Sequence, residues 1–102
     1  MGESTREFFA TLPTRVDASR TAGMNASYIF DIEGAGRWTV KVDDGKVDVS
    51  EGGDSADCTI TTSDENFERI VAGELNPTSA YMTGKLKVKG DMGAAMKLQK
   101  LF

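Results

Sequence analysis

The fold is decided by the segment NASYIFDIEGAGRWTVKVDDGKVDVS, residues 25–50. Apolar and polar residues alternate along three successive runs in this segment. Between the second and third runs, Asp44-Gly45 is a strong signal for a two-residue hairpin turn. One residue breaks the alternation: Ile29 is apolar at a polar position. Strands with one apolar and one polar face are typical of an antiparallel sheet that has one face in water and the other covered by helices.

The flanking sequence completes this pattern. Two further alternating runs, DCTITT (57–62) and KLKVK (85–89), predict a fourth and a fifth strand. A helix with apolar residues at helical spacing precedes the strands. Thr62 and Glu65 have capping-box spacing before a second helix, and Asn76-Pro77 reads as the start of a third. Asp91 is expected to cap the last helix. The predicted fold is α+β, with a five-stranded, mostly antiparallel sheet and helices packed on one face.

Composition limits the class of protein. The chain has 102 residues, of which 39% are hydrophobic and 27% charged, which fits a single domain over residues 1–102. No apolar run approaches the roughly 20 residues needed to cross a bilayer, and the acidic, polar start is unlike a secretory signal. The single cysteine, Cys58, favours a reducing compartment.

The missing residue types argue against catalysis and metal binding. The chain has no histidine and one cysteine, so zinc sites and Ser–His–Asp or Cys–His catalysis are excluded. We therefore expect no enzyme activity, no metal and no cofactor. The formal net charge is −4, which argues against nucleic acid as a partner. The charge is uneven: residues 85–102 carry five lysines and one aspartate, a net of +4, and residues 1–84 carry seven Lys/Arg and fifteen Asp/Glu, a net of −8.

The last segment, 92–102, predicts a helix with an unusually wide apolar surface. Its apolar residues cover roughly 220° of the helical wheel, and the polar Gln99 lies inside that arc. Two interpretations stay open. A methionine-rich helix with one inward polar group suits an apolar pocket that needs one hydrogen bond. Alternatively, the helix packs on the sheet and Gln99 bonds to backbone.

Two other features each have a functional and a structural interpretation. A row of lysines is suited to anionic lipid headgroups or an acidic partner, and equally to an edge strand that resists aggregation. The row and its C-terminal extension comprise Lys85, Lys87, Lys89, Lys97 and Lys100. Trp38 lies at an inward strand position, where it lines a cavity or fills the core.

The run GELNPTSAYMTGKLKVKGDMGAAMKLQKLF (73–102) resembles the sterol carrier protein type 2 family. The likeness lies in its G-x-L-N-P, G-K-L-K-V-x-G-D-M and A-M-K-L-Q segments. Looser similarity over WTVKVDDG (38–45) and ADCTI (56–60) extends it to most of residues 24–102. The resemblance implies an apolar tunnel between sheet and helices that takes fatty acids, acyl-CoA, sterols or isoprenoids. The candidate lipid-binding residues are Trp38, Phe30, Phe67, Met82, Met92, Met96, Gln99 and Phe102.

The C-terminus departs from the family pattern. Peroxisomal members end in Ser-Lys-Leu or similar, whereas this chain ends in Lys100-Leu101-Phe102, so we expect a cytoplasmic protein. Two functional hypotheses follow. The first is a non-catalytic carrier of an apolar lipid, with weak contact to anionic membranes through the lysines. The second is an accessory module that docks on a partner enzyme, for example of quinone or lipid biosynthesis, or that self-associates through an open tunnel end.

Overall fold

A five-stranded sheet with strand order β3-β2-β1-β4-β5 forms the centre of the fold. The computed structural model describes residues 2–15, 18–53 and 55–97. The strands are β1 (Asn25–Glu33), β2 (Gly36–Asp43), β3 (Lys46–Glu51), β4 (Cys58–Ser63) and β5 (Leu86–Gly90). The helices are α1 (Gly2–Arg15), α2 (Ala18–Thr21), α3 (Asp64–Val71), α4 (Pro77–Met82) and α5 (Met92–Met96). The predicted α+β class, the strand count and the strand positions are confirmed.

The sheet is mixed. Three of its strand pairs are antiparallel, as predicted, and β1 pairs with β4 in parallel. The parallel pair arises because the chain leaves β3 at one edge and returns beside β1, which requires a crossover over the two intervening strands. The crossover is tied to β2, since Gly52 N–H donates to Arg37 O over 2.8 Å and Thr39 Oγ1 donates to Gly52 O over 2.5 Å.

The crossover explains the break in alternation at Ile29. This side chain is on the outer face of the sheet, yet it is only 2% exposed. Gly53 lies over it: a Cβ on Gly53 would come within 3.9 Å of Ile29 Cγ1. An apolar residue at an outward position is therefore covered by the loop, and the alternation marks the sheet face correctly everywhere else along β1.

The space between the sheet and the two longer helices is filled by aromatic rings. Phe9 of α1 stacks on Trp38, with ring centroids 4.6 Å apart, and on Phe67 of α3, at 5.3 Å. The same ring lies 5.2 Å from Phe30 of β1. Such pairs stabilise a fold by about 0.5–1.5 kcal/mol each beyond their buried area. This aromatic cluster, Phe9, Phe30, Trp38 and Phe67, joins α1 and α3 to the middle of the sheet.

One predicted helix cap was wrong by one residue. The cap of α3 is Ser63, whose Oγ accepts from Asn66 N–H over 3.2 Å. Thr62 instead ends up on the inner face of β4, where its hydroxyl donates to Lys85 O over 2.7 Å. Nearby, the Thr5 hydroxyl donates to the buried Asp64 carboxylate and ties α1 to the start of α3.

Candidate functional site

An apolar pocket of about 430 Å³ lies between α4, β5 and α5. Leu86 and Val88 supply its floor from the inner face of β5, and the two short helices supply its walls. The lining residues are Pro77, Thr78, Tyr81, Met82, Leu86, Val88, Met92, Ala95 and Met96. None of these described lining residues carries a charge. A concave apolar surface of this volume is in the range typical of small-molecule sites.

The sequence builds the α4 wall through a strong helix start. Asn76 caps α4 as predicted, with its side-chain oxygen accepting from Thr78 N–H over 2.8 Å, and Pro77 takes the first helical position. Ala80 is fully buried against the sheet, and its carbonyl accepts from Lys85 N–H over 2.8 Å. These contacts fix α4 beside β5 and leave Met82 at the pocket mouth.

The α5 wall is fixed by three contacts. Asp91 caps the helix as predicted and accepts from Gly93 N–H over 2.8 Å. Gly90, at φ +110°, lets the chain pass close to β4, since a Cβ there would lie 2.3 Å from Asp57 O. The Tyr28 hydroxyl, rising from the middle of the sheet, donates to Ala94 O over 2.5 Å. The buried face of α5 is therefore fixed against the sheet, and Met92 and Met96 line the pocket.

The titratable groups beneath α5 stay protonated. Burial raises the pKa of Tyr28 well above its usual value, and nearby Cys58, Asp57 and Asp91 add to the shift. Burial also raises the pKa of the Cys58 thiol, again with support from Asp91 and Asp57. A protonated phenol is a hydrogen-bond donor and a protonated thiol is a poor nucleophile. These two groups thus support the fold of the site without supplying reactive chemistry.

Of the eight residues singled out from the sequence, the six that the structure describes lie in two places. Met82, Met92 and Met96 meet at the pocket. Trp38, Phe30 and Phe67 lie in the aromatic cluster instead, at most 5% exposed, and they are not among the pocket's lining residues. Gln99 and Phe102 lie outside the described residues, as does Lys100.

Sequence reasoning passed over several lining residues. Leu86 and Val88 were recognised as the apolar face of a strand, and their inward alternation is the signal that places them under the pocket. Tyr81 lies next to Met82 in a helix whose start was predicted correctly, so its position was accessible by the same reasoning. Nothing in the sequence marks Pro77, Thr78 or Ala95 as a pocket residue.

The pocket mouth exposes large apolar side chains close to cations. Among the described residues, the exposed large hydrophobic side chains are Tyr81, Met82, Met92 and Met96, and all four line the pocket. The predicted lysine row is exposed: Lys87 and Lys89 lie on the edge strand β5 and Lys85 directly precedes it. Lys97, after α5, is also exposed. No helix in the described ranges is long and apolar enough to cross a membrane. Within the same described ranges, no group of three or more His, Cys, Asp or Glu residues could hold a metal ion.

Comparison with known proteins identifies relatives over most of the chain. The SCP-2 sterol transfer family matches residues 7–102. The chain is 51% identical over 65 residues to sterol carrier protein 2 of Homo sapiens, which covers 63% of this chain and 12% of the human protein. It is 35% identical over 100 residues to hydroxysteroid dehydrogenase-like protein 2 of Xenopus laevis, 94% of this chain and 24% of that protein. The chain therefore spans only a small part of these relatives.

A solved structure shares the fold over nearly its whole length. Sterol carrier protein 2 like 2 from Aedes aegypti superposes with a TM-score of 0.77 at 25% identity, covering 98% of this chain and 94% of that one. The mixed five-stranded sheet and its helices are thus a known arrangement.

Proposed function

The chain belongs to the SCP-2 sterol transfer family, and we propose that it binds and carries an apolar lipid in the pocket between α4, β5 and α5. Family membership implies lipid binding or lipid transfer. The single observation that supports this pocket as the site is its uncharged, largely apolar lining around a volume of about 430 Å³. Each ligand methylene buried there would contribute about 0.8 kcal/mol. A fatty acid, an acyl-CoA, a sterol or an isoprenoid chain would each gain binding free energy in this way.

We propose that the protein is a non-catalytic carrier. No charged side chain lines the described pocket, and the neighbouring Tyr28 and Cys58 have raised pKa values that keep them protonated. General acid–base or nucleophilic catalysis needs a group poised to exchange a proton or to attack. The hydroxysteroid dehydrogenase-like relative matches over 24% of its length, so its name describes a much longer protein.

We also propose that the lipid site extends beyond the pocket. Gln99 would meet the polar group of a ligand, and Phe102 would contact its apolar part. A ligand long enough to reach Phe30, Phe67 and Trp38 would have to separate rings that stack at 4.6 to 5.3 Å. Displaced ring contacts weaken binding unless the ligand replaces them, so the methionine-lined pocket is the primary site.

Titration with an uncharged ligand tests the pocket directly. Met82 is 78% exposed at the mouth, so Met82→Asp adds a charge to the lining at little cost in packing. The probe is a pyrene-labelled long-chain alcohol, chosen because a neutral headgroup is not repelled by the new carboxylate. We expect affinity to fall about tenfold, which corresponds to about 1.4 kcal/mol.

Ser79→Asp is the matched control, since Ser79 is exposed on the same helix and does not line the pocket. It should bind the alcohol like the unmodified protein. If Ser79→Asp lost as much affinity as Met82→Asp, the loss would not come from the pocket lining, and the ligand would have to bind elsewhere. Native mass spectrometry of freshly purified protein, followed by organic extraction, should also show about one lipid per chain; an empty protein that ignores added lipids would reject the carrier function.

We propose that the pocket mouth meets anionic membranes during transfer. Exposed Met82 and Met96 lie at the mouth, and the exposed lysines of β5 and Lys97 belong to a segment of net positive charge in a negative chain. Each lysine near an anionic surface contributes about 1 kcal/mol. Replacing Lys87 and Lys89 by glutamate should abolish co-sedimentation with phosphatidylserine-containing vesicles. Glutamate at Lys41 and Lys46, on β2 and β3, should leave it intact.

The exposed mouth also favours the second candidate, an accessory module that docks on a partner enzyme or on a second copy. Contiguous exposed apolar side chains are typical of interaction surfaces. Gel filtration separates the candidates: a lipid-loaded monomer supports the carrier, whereas a lipid-free dimer that Met82→Asp dissociates supports the module.

A further inference from the structure

We propose that Met82, Met92 and Met96 are an oxidation site, at which hydroperoxides convert the pocket's thioethers to sulfoxides and lower its affinity for apolar ligands. The loss of affinity rests on the proposed function. The oxidation itself rests only on the placement of the three sulfur-bearing side chains. The oxidation and the loss of affinity are therefore tested by separate measurements.

Access distinguishes these methionines from the buried one. Met82 and Met96 are each 78% exposed and Met92 is 48% exposed, whereas Met24 is 2% exposed within the core. Oxidation of a thioether requires collision with the oxidant, so its rate follows exposure. The three side chains also converge on one pocket from two helices. Met1 lies outside the described residues.

The reaction is a simple oxygen transfer. A sulfur lone pair attacks one oxygen of hydrogen peroxide or an organic hydroperoxide, an S–O bond forms and the O–O bond breaks. The oxygen now bound to sulfur gives up its proton, and the departing hydroxide or alkoxide takes it up as water or alcohol. The thioether is oxidised to a sulfoxide by two electrons, and the peroxide is reduced by the same two.

Sulfoxides change what the pocket accepts. Methionine is suited to the lining because it is apolar and adapts its shape, while a sulfoxide is polar and retains water. A polar group that loses water against an alkyl chain without gaining a hydrogen bond opposes binding. Because Met92 and Met96 are four residues apart on one helix, both oxidations affect the same side of the pocket.

Peptide mapping tests the oxidation half. The folded protein is treated with dilute hydrogen peroxide and digested with trypsin, which places Met24 in residues 21–37, Met82 in residues 70–85, and Met92 with Met96 in residues 90–97. We expect the three pocket methionines to oxidise at least tenfold faster than Met24. If the untreated protein binds the long-chain alcohol, preloading should slow oxidation of the pocket methionines and leave oxidation of Met24 unchanged; this protection, unlike the rates without alcohol, rests on the proposed function. Equal rates at all four sites would overturn the proposal.

Binding of the same alcohol tests the second half. The untreated protein must bind it; failure at this point rejects the proposed function, not the oxidation site. Oxidised protein should bind at least tenfold more weakly. In the triple variant Met82→Leu, Met92→Leu, Met96→Leu, whose lining stays apolar, the affinity measured before peroxide should not change after peroxide. Met24→Leu, the matched control, should remain peroxide-sensitive. Undiminished affinity in the oxidised protein, or lost affinity in the peroxide-treated triple variant, would contradict the inference.

Discussion

Replacing Tyr28 by phenylalanine should measure how much the hydrogen bond between the sheet and α5 contributes to stability. The substitution keeps the ring, which is fully buried, and removes the hydroxyl that donates to Ala94 O over 2.5 Å. That carbonyl keeps a second partner, since Lys97 N–H also donates to it. The loss is therefore one hydrogen bond with no orphaned acceptor, and we expect the free energy of unfolding to fall by about 1 kcal/mol.

Urea denaturation at pH 8 measures this difference. With an m-value of about 1.5 kcal/mol/M, a loss of 1 kcal/mol lowers the midpoint by about 0.7 M and leaves m unchanged. Binding of the pyrene-labelled alcohol should weaken as well, because α5 loses its only described side-chain bond to the inner face of the sheet. Unchanged midpoint and affinity would show that Tyr28 does not hold the helix.

The contribution of Tyr28 to the free energy of unfolding should also depend on pH. Burial raises the pKa of Tyr28 in the folded protein, first through desolvation and then through Cys58, Asp57 and Asp91. Above pH 10 the unfolded chain loses the phenolic proton that the folded protein keeps. The unfolded state then binds fewer protons, and the stability contributed by Tyr28 falls as pH rises. Below pH 10 both states hold the proton and the contribution is complete.

The free energies of unfolding of the two proteins should therefore become equal at one pH. With an unfolded tyrosine pKa of about 10, linkage removes about 1 kcal/mol by roughly pH 10.6. Wild type and Tyr28→Phe should be equally stable near that pH, and the variant should be the more stable one above it. All other residues are the same in the two proteins, so their contributions cancel in the comparison. A stability difference that stays constant from pH 8 to pH 11 would refute a buried, protonated phenol.

Two further predictions concern α5 and the segment after it. Gly90→Ala should lower the unfolding free energy by at least about 2 kcal/mol, because the new Cβ meets the backbone at Asp57 O; Gly23→Ala, at φ +77° with open space around it, should cost about 1 kcal/mol in the same urea assay. Gln99→Leu should weaken palmitate more than hexadecane in displacement titrations, and equal losses for both would remove Gln99 as a polar contact.

Periodicity predicted the sheet because side-chain alternation is fixed by backbone geometry. Each apolar position from Ala26 to Ile32 at spacing two lies on the buried face. Alternation does not encode which strand lies beside which, so the parallel pairing of β1 with β4 was not visible. Thr59 and Thr61 alternate outward whether their neighbour runs parallel or antiparallel. Ile29 was the one residue in the pattern that indicated the crossover, because an outer-face position can hold an apolar residue when a loop covers it.

The site was less predictable because apolar core and apolar cavity use the same residues. Trp38 and Phe67 satisfy an inward position equally well when they stack on Phe9 as when they face a ligand. Stacking depends on where α1 crosses the sheet, which is a tertiary property. The methionines at the pocket were singled out by the methionine-rich pattern of the last segment and by the resemblance, which implied a lipid-binding tunnel. Their exposure, which separates them from Met24, appears only in three dimensions.

The distribution of packing explains why the pocket is at the β5 end of the sheet. α1 spans 14 residues and α3 spans eight, and both are joined to the sheet through aromatic rings. α4 has six residues and α5 has five, far below the about 12 that an isolated helix needs for marginal stability. The short helices depend on the caps at Asn76 and Asp91 and on the Tyr28 bond. A lipid between them adds apolar contacts where the protein has few of its own. Binding should therefore stabilise this end of the fold, while the aromatic cluster holds the rest of the domain together without it.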